Sequence, residues 1–532
     1  MPGKISFLSI LLLLSFELQS QSLIGVYDHM SDYTRLLEIQ GIYSNNPIIL
    51  QSPQSSIDFE VDSINHPWKD VIATHYSDDG KVITLLNPEI GITYNSTYAR
   101  NYNNGPLWTG KGLTSYVNAG VELKLGKFSA RVYPNFFYAQ NLNFELAENG
   151  GRNQFAYQFS NNIDWVQRYG NSELTEIHLG QSHIKATFGN FQIKLSTENM
   201  WWGPAVFNPI LMSNTAPGFL HLDLGTDKPA KTKLGDFEFH SIWGRLKESD
   251  YFDNDDENDN RYMVGATFGY RPSFSKALQG LSVGFSRVLY KEWRPDSVNF
   301  KDAFLILRNT DPSPNQLPSG RIFNDETDQL AAIYIRWYFM EVGAEIYMEW
   351  AKNDFNADFN DFWQEPDHAR AVTWGFQKVF NTPKGFWRFG LEHTALGVTR
   401  TVQVRQAGSI YYHSIVRQGY TNEGELIGAP IGPGSNSQLI KVDRFTDNGS
   451  IQLIIQRIRF NDDYYFQTFQ GPNSFANHDV EFNLALKYVR YFNKYTLNVT
   501  TTFSDRTNLY YNTNDIVNLQ IKGDLLFHIN RL

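Results

Sequence analysis

The stretch Ser182-His183-Ile184-Lys185-Ala186-Thr187-Phe188-Gly189-Asn190-Phe191-Gln192-Ile193-Lys194-Leu195-Ser196 decides the fold class. Ile184, Ala186 and Phe188 alternate with His183, Lys185 and Thr187. Gly189-Asn190 turns the chain, and Phe191, Ile193 and Leu195 then alternate with Gln192 and Lys194. This is a hairpin with one apolar and one charged face. The apolar face rests either on a protein core or on lipid.

The same period runs outward from this hairpin in both directions. Ile90, Ile92 and Tyr94 alternate with Gly91 and Thr93, and Val121, Leu123 and Leu125 with Glu122 and Lys124. Gly126-Lys127 then turns the chain into Phe128, Ala130 and Val132. Ala344, Ile346, Met348 and Trp350 alternate with Glu345, Tyr347 and Glu349. Phe482–Tyr488 and Tyr495–Phe503 flank a turn at Phe492–Lys494, and Val517 to Ile529 sets apolar residues against Asn518, Gln520, Lys522, Asp524, His528 and Asn530.

Composition bounds the reading. The chain has 532 residues, no Cys, 15% aromatic residues and a formal net charge of −10. Without Cys there are no disulfides, thiolate metal sites or Cys nucleophiles. The acidic balance gives no basic face for nucleic acid. Mean hydropathy is −0.39, and no stretch reaches the roughly 20 apolar residues of a membrane helix. Lys4 followed by the Leu- and Ile-rich run Ile5–Phe16, with Leu18 and Ser20 at a cleavage-competent position, reads as a secretory signal peptide over 1–20. On composition alone, a secreted sandwich or propeller fits as well as a barrel with aromatic girdles.

Two features choose between them. Several alternating segments run to about ten residues, the length of a tilted membrane strand. Turns are also asymmetric: some are two or three residues, as at Gly126, Gly189 and Asn493. Others are long and polar: Tyr251–Asn260, Asn353–His368, Gln406–Ser437 and Asn461–His478. The chain therefore reads as an all-β protein, a large transmembrane antiparallel barrel over 85–532. At roughly 20–28 residues per strand and loop, the segment after Leu85 holds about 16–20 strands, an even number. Residues 21–84 read as a small, partly helical periplasmic element. Ser31 is a candidate cap for a helix through Ile39, stopped by Gly41, and Pro67–His75 is a second short helix.

Motifs for catalysis are weak. Gly280-Leu281-Ser282-Val283-Gly284 matches a nucleophile elbow but continues as an alternating strand through Phe285 and Arg287. Gly105–Gly112 resembles a phosphate loop, but Gly112 stands where the Mg²⁺-binding hydroxyl belongs. The acidic loops Asp253–Asp259 and Asp358–Asp367 lack the Gly and final Glu of an EF-hand and read as solvated. The twelve His residues show no helical ligand spacing. No metal, cofactor or catalytic residue is expected. Tyr411, Tyr412, His413, Arg417 and Tyr420 form the candidate sugar contact: rings stack on sugar faces, and Arg bonds hydroxyls and carboxylates. Packing of these residues against the barrel mouth explains the same composition.

Asn199-Met200-Trp201-Trp202-Gly203-Pro204, followed by Leu211-Met212-Ser213-Asn214-Thr215-Ala216-Pro217-Gly218, resembles the signature of the Wzi-type capsule-assembly proteins. The likeness extends to Asn104–Gly112 with Trp108, Gly110 and Gly112, to Phe237-Glu238 and Gly244-Arg245-Leu246, to Glu349–Asp354 and Asp361–Arg370, and to Tyr411–Gly428. Ala205 departs from the Gly expected there, and the chain ends in Leu532 instead of an aromatic residue. The resemblance implies an outer-membrane barrel of about 18 strands with a small helical bundle. It also implies binding of capsular polysaccharide without catalysis. Trp108, Gly110, Gly112, Trp201, Trp202, Gly203, Pro204, Asn214 and Pro217 are then structural or lumenal. The expected partners are capsular or exopolysaccharide and outer-membrane lipid, with other outer-membrane proteins as a further class. A solute pore and a subunit of a larger outer-membrane complex remain alternative readings.

Overall fold

The computed structural model describes residues 19–26, 28–43, 47–54, 66–76, 82–294, 298, 300–307, 327–353, 363–399, 407–469 and 477–529. Most of the expected signal peptide, Asp358, Asp361, Asn530 and Leu532 lie outside them.

Among the described residues the barrel is a sheet of eighteen antiparallel staves that closes on itself, with Gln19–Gln21 added in parallel to its first stave and two small two-stranded sheets apart from it. The staves are β1 (Ile83–Asn95), β2 (Gly112–Leu125), β3 (Phe128–Val132 with Asn135–Ala139), β4 (Leu174–His178 with His183–Phe188), β5 (Phe191–Ser196), β6 (His221–Thr226), β7 (Gly235–Lys247), β8 (Asn260–Pro272) and β9 (Leu281–Glu292). The second half comprises β10 (Thr327–Phe339), β11 (Ala344–Asn353), β12 (Arg370–Thr382), β13 (Gly385–Ala395), β14 (Asn436–Thr446), β15 (Gly449–Arg459), β16 (Val480–Tyr491), β17 (Tyr495–Thr507) and β18 (Ile516–Phe527). Closure comes from β18 pairing with β1, Ile521 opposite Tyr94 and Leu525 opposite Ile90. A closed barrel leaves no unpaired edge, as a strand-built membrane span requires.

The hairpin at Ser182–Ser196 becomes β4 and β5, with Lys185 opposite Lys194 and Ile184 opposite Leu195. Ile184, Phe188, Phe191, Ile193 and Leu195 are exposed on the outer wall. Lys194 is buried on the inner side, where it binds Glu198 at 2.9 Å. The same alternation holds in β1, where Ile90, Ile92 and Tyr94 face out and Thr93 and Asn95 are buried. An apolar exterior over a polar interior is the pattern of a barrel solvated by lipid. Gly280–Gly284 turns into β9 and continues as a strand, without the helix a nucleophile elbow needs.

The interior is filled. Helix α1 (His29–Ile39) lies inside the end that carries the short turns. Its Tyr33, Leu36, Leu37 and Ile39 pack with α2 (Lys69–His75) and with Tyr338, Val379, Phe386, Phe445 and Val489, all near short turns. Asp28, not Ser31, caps α1. Its Oδ1 accepts from the amides of Met30 and Ser31, while the Ser31 hydroxyl donates to the Asp28 carbonyl. A carboxylate is a good N-cap and also complements the helix dipole. One face of α1 is charged, and each charge meets the wall. Arg35 binds Glu345 at 2.8 Å, Glu38 pairs with Arg336 and Arg271, and Asp32 receives Arg388 at 2.8 Å. Burial alone would raise the Asp32 carboxyl, but Arg388 and Lys441 hold it well below its ordinary range.

Above α1, two loop insertions fill the middle of the barrel. Residues 197–220 follow β5, and residues 407–435 follow β13. Their Met200, Trp202, Ile210, Leu211, Ile427 and Ile431 form one buried cluster with wall residues Ile242, Met263, Val288 and Ala351. Gln406–Ser437, expected to be a long polar loop, is therefore mostly core from 409 to 435. Its apolar residues outweigh its polar ones once a lumen exists to bury them.

One segment lies outside the barrel. Phe300–Leu307, in the β9–β10 connection, packs over Val264 and Leu289 of the outer wall. Trp243 donates to the Ala303 carbonyl at 2.8 Å, and Arg287 to the Ile306 carbonyl at 3.0 Å. The outward-facing Arg287 is thereby covered, with Gln329 accepting at 2.6 Å.

Candidate glycan-binding cleft and its supporting plug

The plug is pegged to the wall by carboxylates that accept backbone amides. Glu238 of β7 accepts from Ile48, Ile49 and Leu50, the Ile49 and Leu50 bonds being 3.0 and 2.7 Å. Glu349 of β11 accepts from Ala205 at 2.8 Å and Ile210 at 2.9 Å. Glu392 of β13 accepts from Val206, Phe207 and Asn208 at 2.6, 3.1 and 2.9 Å, and from the Tyr347 hydroxyl at 2.9 Å. Buried carboxylates are costly unless fully bonded, so each peg fixes its segment strongly.

These pegs place the tryptophan motif. Trp201 and Trp202 pair with Gln51 and Leu50, and the Trp201 indole donates to the Ala205 carbonyl at 3.0 Å. Gly203 has φ +95°, and a Cβ there would meet Glu349 Oε1 at 2.3 Å. Gly is required for both reasons. The Pro204 carbonyl accepts from Arg35 at 2.7 Å, tying the motif to α1. The Asn214 carbonyl accepts from the Gly105 amide at 2.7 Å, and the Pro217 carbonyl from Asn422 at 3.2 Å. The motif is thus a node joining plug, helix and loops.

At the long-loop end the plug supports a cleft of about 140 Å³ lined by Tyr98, Tyr102, Trp108, Phe144, Tyr157, Phe159, Trp165, Phe460 and Tyr510, with Asn101, Gln158, Gln167, Glu425, Asn461 and Arg506 among them. Its rings are held by one another and by polar ties. Tyr157 stacks on Trp165 with centroids 5.2 Å apart, and Phe159 meets Tyr157 edge-on at 5.6 Å. Trp108 donates to Asn141 at 2.9 Å. Gly110 leaves room for this indole, since a Cβ would lie 2.7 Å from its Nε1, and Gly112 takes φ +90°. Arg506 is clamped by both Asp479 oxygens at 2.6 and 2.7 Å, with its guanidinium 4.3 Å from the Phe460 ring centroid. Tyr102, Phe159, Trp165 and Gln158 are only partly buried, so ring faces and an amide remain open to the cleft. Burial pushes the Glu425 carboxyl up to about 8, with Asn101 donating to it at 2.9 Å. It is protonated at neutral pH and can donate a hydrogen bond into the cleft.

The candidate loop residues separate. Tyr411 and Tyr420 are fully buried beneath the cleft, 6.0 Å apart and stacked; the Tyr411 hydroxyl donates to the Ile210 carbonyl at 2.7 Å. They support the loop from inside. Tyr412 is half-buried and accepts from Asn461 at 3.3 Å, the same amide that holds Tyr157 at 3.0 Å. His413 accepts the Val416 amide, and exposed Arg417 reaches the Asn161 carbonyl at 3.4 Å. These two sit on the rim. The sequence reading missed Tyr102, Tyr157, Phe159 and Trp165. Their signal is present: Phe155, Tyr157, Phe159 and Trp165 are spaced among Asn, Gln and Ser in a stretch with no strand period.

Among the described residues no group of three or more His, Asp or Glu side chains is placed to hold a metal ion. No described helix is long and apolar enough to cross a membrane. Asp253 and Asp255 instead accept amides within their own loop, at 2.9 and 3.2 Å.

The family model described as capsule assembly protein Wzi matches residues 93–517. No curated protein matches the sequence. Among solved structures, the chain is similar to Wzi of Escherichia coli, an outer-membrane protein described as involved in group 1 capsule assembly and as a carbohydrate-binding β-barrel. The two share 12% identity over 83% of this chain and 84% of that one, with a TM-score of 0.54. OccAB1 of Acinetobacter baumannii gives 10% identity over 82% of this chain and 95% of that one, with a TM-score of 0.38.

Proposed function

This chain belongs to the family of the capsule assembly protein Wzi, and on that premise we propose that it is a non-catalytic outer-membrane barrel holding capsular or exopolysaccharide at the cell surface. The short-turn end, with α1 and α2, faces the periplasm, and the long-loop end faces outward. The observation that carries the reading is the rigid aromatic cleft at that outer end, with Tyr102, Phe159 and Trp165 partly open beside the Gln158 amide.

Aromatic rings present flat apolar faces, and the neighbouring amides and Arg506 bond hydroxyls. Tyr412, His413 and Arg417 extend this surface along the rim. A polymer that repeats the same unit can engage many such barrels at once. Individually weak contacts then suffice to retain it. A solute pore would need an open lumen, which the two insertions and α1 occupy. The family likeness to a carbohydrate-binding barrel supports the same ligand class.

The test is binding of the purified barrel to surface polysaccharide extracted from the parent cells, with Trp165→Ala and Tyr102→Ala variants. Wild-type protein is expected to bind, and each variant to lose about tenfold, the scale of a contact residue worth about 1.4 kcal/mol. Cells lacking the protein should shed polysaccharide into the medium. Unchanged cell-attached polysaccharide, together with no binding in vitro, would overturn the proposal.

A further inference from the structure

The outer wall carries a charge pattern of its own at the short-turn end. The outward positions of β12 run from Phe376 to Lys378, those of β14 from Val442 to Arg444, and those of β16 from Tyr488 to Arg490. The chain neighbours of these cations, Gln377, Val379, Asp443, Phe445, Val489 and Tyr491, are buried inside the barrel. Three alternate strands thus bring a cation onto their lipid-facing stripe beside a short turn. At the same level the other described strands present uncharged residues outward, such as Leu125, Phe191, Phe239 and Phe339. The outward charge is confined to one sector. Exposed Lys384 and Lys494, in the turns after β12 and β16, extend it.

Each of the three cations lies beside an exposed ring. The Lys378 ammonium is 5.4 Å from the Phe380 ring centroid, the Arg444 guanidinium 5.2 Å from that of Trp387, and the Arg490 guanidinium 5.9 Å from that of Phe492. Exposed aromatic rings mark the level where hydrocarbon gives way to headgroups, and long cationic side chains carry their charge to that level. Hydrogen bonds hold these side chains in place without neutralising them. Lys378 donates to the Val342 carbonyl. Arg444 donates to the Thr382 hydroxyl at 2.8 Å and the Lys384 carbonyl at 3.3 Å, and Arg490 to the Asn448 side-chain oxygen at 2.5 Å.

The charge count favours an anion. Five cations stand in this sector, and the turns there carry two carboxylates, Asp447 and, on the adjacent β10–β11 turn, Glu341. Among the described residues neither carboxylate forms an ion pair with any of the five. Asp443, next to Arg444 in the chain, points inward and binds Arg388. Arg444 and Arg490 flank β15, on alternate strands about 10 Å apart, within joint reach of one phosphate group. Guanidinium forks match phosphate oxygens, and basic side chains at a membrane surface draw anionic lipid.

We propose that the short-turn end of β12 to β16 binds an anionic phospholipid of the periplasmic leaflet, its phosphate received by Arg444 and Arg490 with Lys378, Lys384 and Lys494 around it. The acyl chains then lie along exposed Ile451 and Leu453 of β15, between the two arginine strands. The inference uses the orientation given above and is independent of what the cleft holds.

The experiment uses the full-length barrel in detergent micelles. Phosphatidylglycerol and phosphatidylethanolamine with the same acyl chains are titrated separately, and native mass spectrometry counts the bound lipid. Wild type is expected to prefer phosphatidylglycerol by about fivefold or more, the worth of a basic residue near an anionic surface. The combined Lys378→Gln, Arg444→Gln and Arg490→Gln variant should bind both lipids equally. Arg444→Lys with Arg490→Lys should keep part of the preference, and Lys276→Gln, in the β8–β9 turn, should keep all of it. Inorganic phosphate added at matched ionic strength should leave the lipid bound. Equal binding of the two lipids by wild type, a preference that survives the triple variant, or displacement by inorganic phosphate overturns the inference. Should the triple variant fail to fold, Arg444→Gln with Arg490→Gln decides by the same comparison. Polysaccharide binding is measured on the same samples, so the carbohydrate reading stands or falls separately.

Discussion

Arg35 of α1 binds Glu345 of β11 at 2.8 Å across 310 residues of sequence. The Glu345 carboxylate is fully buried and also receives Arg336 at 2.8 Å and Gln377 at 2.6 Å. The helix is thus locked to the wall by a bonded charge cluster in the barrel's interior.

Replacing Arg35 should expose the cost of that cluster. Arg35→Met leaves Glu345 with one cation and frees the Pro204 carbonyl. We expect a loss of about 3 kcal/mol, within the range for breaking a buried pair. Urea unfolding followed by tryptophan fluorescence checks this. Arg35→Met combined with Glu345→Gln should recover part of the loss, because no uncompensated charge remains.

The Glu392 peg makes a second case. Glu392→Ala removes the acceptor for three consecutive amides, Val206, Phe207 and Asn208. The plug should loosen while the barrel stays closed. Planar-bilayer recordings should show wild type silent and the variant opening intermittently. A silent Glu392→Ala barrel would mean that the hydrophobic cluster alone holds the plug.

Glu425 gives a pH dependence. Burial raises its folded pKa to about 8, above the ordinary Glu value near 4.5. The folded state thus holds the proton more tightly than the unfolded state. Stability falls as pH rises from about 4.5 to about 8 and levels off above that. Glu425→Gln mimics the protonated form. It should match wild type at pH 4 and exceed it at pH 9 by roughly 5 kcal/mol, from about 1.4 kcal/mol per pKa unit. Denaturation midpoints at both pH values test this.

Asn461 lines the cleft and ties Tyr157 and Tyr412 together, so Asn461→Ala should spoil the cleft by freeing both rings and removing one lining amide. We expect glycan affinity to fall by about three- to tenfold, roughly one hydrogen bond's net worth. Tyr412→Phe, which removes only one of the two bonds, should fall less. Isothermal titration with extracted polysaccharide measures both.

The strand pattern was legible because it is local. Ile184, Phe188, Ile193 and Leu195 announce an outer face, and Glu345 and Glu349 an inner one, within a few residues of chain. What those carboxylates bind was not legible, since Arg35 and the amides of Ala205 and Ile210 come from distant segments. The α1 cap shows a finer limit. Asp28 and Ser31 are both good N-caps, and Asp28 prevails because its second oxygen also accepts the Gly25 amide. In the candidate site, Tyr411 and Tyr420 were read as loop tyrosines like Tyr412. Ile410, Val416, Leu426 and Ile431 around them are too apolar for a solvated loop, and that was the signal for burial in the lumen.

The position of α1 also orders events in time. It precedes its partners Arg336, Glu345 and Arg388 in the chain by some 300 to 356 residues. Until β10 to β13 exist, Asp32 and Arg35 lack Arg388 and Glu345, and Glu38 has only Arg271 of β8. The helix is therefore a completion check: it can seat only in a barrel whose far side has formed.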